Sequence, residues 1–109
     1  MTTTIAPVAT QVTGLLTGLG ADEDQVAQAL RAAGVAGCRR SKHGCPIASY
    51  LRSQLDAGRV TYLAVTGSFV HVSVGGAMYT VVNPDPVRRF VRLFDLGARF
   101  ADLAQVEPC

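Results

Sequence analysis

With 109 residues, a net charge of +2 and 17% charged side chains, the chain is the size of one domain, and its net charge is too small to imply a polyanion partner. Its hydrophobic fraction of 49% is high for a small monomer, so part of that apolar surface is expected to lie between subunits. No run reaches the roughly 18 apolar residues needed to cross a bilayer, and residues 1–6 lack the basic start of a secretory leader.

Arginine supplies nine of the ten basic residues, Lys42 is the sole lysine and Asn83 the sole asparagine. That bias matches high-GC coding, so arginine abundance is not by itself a sign of binding. The three cysteines are an odd number in a chain with enough apolar residues to build a core unaided. They read as reduced thiols in a cytoplasmic protein.

In chain order, residues 1–6 form a threonine-rich lead expected to be loosely held, as are residues 107–109 at the other end. Val8, Val12, Leu15, Leu16 and Leu19 then fall on one helical stripe ended by Gly20. A second helix opens at Asp22 as cap, with Gln25 at the capping-box position and Val26, Ala27, Leu30 and Ala33 facing inward; Gly34 stops it. After a loop over residues 35–44, Pro46 begins a third helix. Its buried stripe is Ile47, Ala48, Leu51 and Leu55, and Gly58 ends it.

Residues 60–82 are crowded with Val, Thr, Tyr and Phe, with breaks at Gly67-Ser68 and Gly75-Gly76. Two-residue hairpin loops at both breaks set the register: Val65 opposite Val70, Leu63 opposite Val72, Val72 opposite Tyr79 and Val70 opposite Val81. One side of the meander then carries Leu63, Val65, Val70, Val72, Val74, Tyr79 and Val81, a core face. The other carries Tyr62, Ala64, Phe69, His71, Ser73, Met78 and Thr80. A one-residue slip would exchange the two sets, so the apolar bias supports this register. Asn83 reads as the cap of a last helix with Pro84 in its first position; Val87, Phe90, Val91, Leu93 and Phe94 form its apolar side. Phe100 and Leu103 are expected to dock on the core. The expected fold is a single α+β domain over residues 1–109: three helices, a three-stranded antiparallel meander and a C-terminal helix, with one layer of helices on one sheet face.

The densest chemistry lies in residues 38–45. Arg39, Arg40, Lys42 and His43 run into a helix N-terminus, where free amides favour anions, and Arg52 lies further along that helix. The bland reading of this segment is a solvated connection. Cys38, His43, Cys45 and Cys109 form a Cys₃His set suited to zinc, but their spacing is not that of a paired knuckle, so no metal or other cofactor is assigned. Cys45 with His43 two residues away has the elements of an activated thiol, without an acidic residue nearby in sequence to orient the base. Arg88, Arg89 and Arg92, with Asp85 and Asp95 at pairing distance, read as a solvated helix face. No catalytic residue is assigned.

Two function classes survive. The first is an interaction module that self-associates or docks a protein partner through the outer sheet side, with Tyr62, Phe69, His71, Met78 and Val82 as the contact set. The second is a nucleic-acid-binding regulator. The order of helix two, helix three and hairpin resembles that of winged helix-turn-helix domains, which would place the helix from Pro46 in the major groove. It ranks second because about ten residues separate the helices and the tip at residues 66–68 has no basic side chain.

Overall fold

The computed structural model describes residues 8–55, 59–97 and 99–104. The expected loose ends at 1–6 and 107–109, and the expected stop at Gly58, lie outside them. The elements run α1 (Val8–Thr17), α2 (Glu23–Ala32), α3 (Pro46–Gln54), β1 (Val60–Val65), β2 (Phe69–Val74), β3 (Ala77–Val82), α4 (Asp85–Asp95) and a 3₁₀ turn at Ala101–Leu103. The fold is α+β, with the sheet in the order β1-β2-β3.

Local chemistry accounts for the helix starts. Asp22 Oδ1 accepts the Gln25 amide at 2.8 Å, and Gln25 Oε1 in turn accepts the Ala21 amide at 2.8 Å, one residue earlier than a standard capping box. At α3 the cap is a thiol, with Cys45 Sγ accepting from the Ala48 amide at 3.4 Å. This helix stops at Gln54 because Leu55 turns to an extended ψ of 157°. Its last turn is therefore shorter than the apolar stripe suggests.

The meander has the expected register. Leu63 pairs with Val72 and Val65 with Val70; across the second hairpin Val70 pairs with Val81 and Val72 with Tyr79. Gly75 and Gly76, at φ of 58° and 84°, supply the left-handed pair that a tight hairpin with the natural strand twist requires. Thr61 is an extra residue in β1, because Val60 pairs with Val74 while Tyr62 already pairs with Ser73.

Leu63, Val65, Val70, Val72 and Val81 are buried in one cluster with Val12 and Leu16 of α1, Val26 and Leu30 of α2, Ile47 and Leu51 of α3, and Val87, Phe90 and Phe94 of α4. The helices thus form one layer on one side of the sheet. Phe100 and Leu103 dock as expected, and the Phe100 ring lies 4.9 Å from that of Phe90. Ala33, expected to face inward, is exposed as the C-cap of α2, and two residues expected on the core side of the sheet are less covered. Tyr79 is 37% exposed, because β3 is an outer strand with no described strand beyond it, and Val74, at the end of β2, is only partly buried because it borders an open cleft beside α1. Ala64 departs the other way. It has outer-side parity yet is 1% exposed, in a stretch of β1 to which the 38–45 segment is tied.

Asn83 corrects a second expectation. Pro84 is the N-cap of α4, with no side-chain capping bond. The Asn83 side chain is buried and its Nδ2 donates to Thr66 O at 2.9 Å and Gly67 O at 3.3 Å. Its main-chain N–H donates to Ser68 O, continuing the β2–β3 ladder by one residue, so the residue belongs to the sheet and latches the first hairpin tip.

Candidate functional site

The surface of interest is built by strand parity. Alternate residues of a strand point to opposite sides, so Tyr62, Phe69, His71, Met78, Thr80 and Val82 share the side away from the helices. Tyr62 is 38% exposed, Phe69 40%, Met78 57% and Val82 64%. All five residues of the expected contact set are therefore brought onto one side. His71 is half-buried in its middle. Its Nδ1 lies 3.1 Å from Thr80 Oγ1 on the neighbouring strand, and its ring centroid 6.1 Å from that of Phe69. The segment from Val60 to Val82 contains no Asp, Glu, Lys or Arg, so every formal charge of the chain lies elsewhere.

The two borders of this surface differ. Antiparallel ladders alternate, and a residue that exchanges both main-chain bonds with one neighbour turns none toward the other. Thr66 N–H donates to Phe69 O, which sets Tyr62 and Ala64 toward β2 and leaves the Leu63 and Val65 main-chain groups pointing outward. Two of those groups are met. Val65 N–H donates to Lys42 O at 2.6 Å, and Leu63 O lies 3.0 Å from His43 Nδ1 and accepts from Arg52 Nη2 at 3.4 Å. A carbonyl only accepts, so the His43 proton sits on Nδ1. Arg52 Nη1 also donates to His43 O, and the His43 ring meets Tyr62 edge-on at 5.3 Å. On β3, by the same alternation from Asn83 and Ser68, the main-chain groups of Met78, Thr80 and Val82 point away from β2. Among the described residues no further strand joins them.

The basic segment is thus structural in large part. Arg39 Nε donates to Phe94 O at 2.9 Å, with its guanidinium 5.2 Å from the Phe94 ring centroid. The Arg40 main chain, at φ 59°, donates to Asp95 Oδ1 at 2.9 Å. Arg39, His43 and Arg52 therefore spend donors on main-chain carbonyls, while the Arg40 and Lys42 side chains extend from exposed residues. Cys45, Pro46, Ile47 and Ala48 are buried, so the first turn of α3 does not open onto solvent as an anion pocket. Gly37 makes this packing possible, since a Cβ there would sit 2.3 Å from Gly44 O.

The cysteines divide. Cys38 is disulfide-bonded, which corrects the expectation of reduced thiols and removes the basis for reading a reducing compartment from them. An oxidised sulfur also leaves the Cys38, His43, Cys45 and Cys109 set without one of its thiolates. Cys109 lies outside the described residues, among which no three His, Cys, Asp or Glu side chains gather as a metal site. Cys45 is a free, buried thiol whose pKa burial pushes up to about 11, the reverse of an activated nucleophile.

The charged residues of α4 knit helices together. Arg88 pairs with Asp85 at 3.4 Å as expected, but Arg89 reaches across to Glu23 of α2 at 3.0 Å. Arg99 joins Asp24, and Arg31 binds Asp102 through two nitrogens. The carboxyl of Glu23 is held below its ordinary range by its own backbone amide and then by Arg89; Asp102 is lowered by Arg31. These exposed pairs contribute little individually. A cleft of about 610 Å³ between α1, the end of α3 and the strand ends is lined by Val8, Leu15, Leu55, Val60 and Val74, with Arg59 at its side. It brings no acid, base and nucleophile together. No helix among the described residues is long and apolar enough to cross a membrane. No protein-family model matches the chain, and no curated protein or solved structure shows significant similarity to it.

Proposed function

We propose that this chain is a non-enzymatic interaction module that associates with a second copy of itself through the outer side of its sheet. The observation that carries this reading is the exposure of Tyr62, Phe69, Met78 and Val82 together on one uncharged surface. Aromatic and methionine side chains with few charges are the composition of an interface core, and contiguous apolar patches of this kind mark contact sites. The absence of formal charge favours a like copy over a charged partner. Two such surfaces meet without repulsion, whereas a nucleic acid finds no cation on them.

Sedimentation equilibrium tests the reading. The wild-type chain is expected to show a dimer mass rising with concentration, and Phe69→Asp a monomer mass with an unchanged melting temperature. A strict monomer at about 1 mM, where even weak specific association populates the complex, overturns it. If that monomer also bound duplex DNA with an affinity falling steeply in salt, the 39–43 segment and α3 would carry the function instead.

A further inference from the structure

We infer that the second copy joins at the edge of β3, pairing antiparallel with its own β3 across a two-fold axis at Thr80, so that two sheets become one. The inference rests on the self-association reading but moves the contact from the face of the sheet to its β3 border, where Met78 and Val82 of that face lie.

Three observations carry it. On β1 the outward Val65 N–H and Leu63 C=O are already bonded by the 38–45 segment and Arg52, and that strand carries an extra residue at Thr61; both devices hinder pairing at an edge. β3 has neither. Its six residues from Ala77 to Val82 include no charge, proline or bulge, and pair with β2 in unbroken register. The third observation is self-complementarity. A two-fold axis at Thr80 sets Thr80 opposite Thr80 of the second copy and Met78 opposite its Val82. Those are the residues whose N–H and C=O groups point outward, so all three join the new ladder. An axis at Met78 or Val82 would leave some of them unpaired. On the outer side the pairs are Thr–Thr and Met–Val, both compatible across strands, and no like charges are opposed. On the inner side Tyr79, 37% exposed at the present border, gains Val81 of the second copy as its opposite neighbour.

Amide hydrogen exchange of the full chain, read residue by residue at low and high concentration, tests the geometry. At concentrations where the mass is dimeric, the Met78, Thr80 and Val82 amides are expected to slow about tenfold or more as they enter a ladder, while those of Tyr79 and Val81, already bonded to β2, change little. Thr80→Pro removes one outward N–H at a position where an outer strand tolerates proline, and is expected to lower the dimer fraction while keeping the circular dichroism of the fold. A dimer whose Met78, Thr80 and Val82 amides exchange as in the monomer, or one that survives Thr80→Pro unchanged, overturns the edge pairing and leaves self-association by face contact standing. A chain monomeric throughout overturns both. Should Thr80→Pro fail to fold, exchange in the wild-type chain still decides.

Discussion

β1 and β3 are alike in length and composition, each six residues without a charge, yet the molecule treats them as opposites. β1 is sealed at two points: Lys42 meets the outward Val65 N–H, Arg52 and the His43 ring meet the outward Leu63 C=O, and the Thr61 bulge breaks its regularity. β3 is regular and unjoined among the described residues. The difference arises outside the strands, in whether a loop of the same chain reaches the edge. Edge strands are a hazard that folds ordinarily suppress, so an edge left open beside a sealed one reads as a place kept for pairing.

Three substitutions sharpen this contrast. Val72, fully buried in the central strand, anchors both borders. Val72→Asp places an unpaired charge in the core, and is expected to cost about 3–5 kcal/mol and leave the chain unfolded by circular dichroism at 25 °C. An effect as mild as that of Phe69→Asp would break the assignment of faces. Gly37→Ala acts on the sealed edge alone. Its Cβ would drive into Gly44 O and the Cys45–Pro46 bond, so the 38–45 segment must shift, at about 1–3 kcal/mol in urea denaturation. The Val65 amide should then exchange faster while β3 amides do not. His43→Ala is the smallest step, about 0.5–1.5 kcal/mol, because Arg52 still donates to Leu63 O. It should leave the dimer fraction unchanged, since the segment guards the other border. A larger dimer fraction would show that β1 can open too.

Much of the sheet was legible from local pattern. Side-chain alternation and two glycine-bearing breaks specify the register, because a one-residue slip would turn every valine of β2 to the wrong side. The helix starts at Asp22 and Pro46 were legible for the same reason, their partners lying within one turn. What depended on distant partners was not. Asn83 before Pro84 has the local grammar of a helix cap, and nothing nearby reveals that its amide is taken by Thr66 and Gly67. Ala64 gives no sign that a segment some twenty residues earlier closes over its strand. The candidate site shows the same division. Parity placed Tyr62, Phe69, His71, Met78 and Val82 together, but the basic segment read as a ligand site because sequence cannot show that Arg39, His43 and Arg52 already hold carbonyls.

The buried amide of Asn83 has a practical consequence for building on this scaffold. Exposed hairpin tips are the usual places to splice in a tag or a reporter loop. Here the two tips are not equivalent: the turn at Gly67-Ser68 is riveted by Asn83 to the root of α4, whereas among the described residues no side chain bonds to the turn at Gly75-Gly76. Inserted sequence belongs at the second tip, because lengthening the first would pry the final helix from its seat.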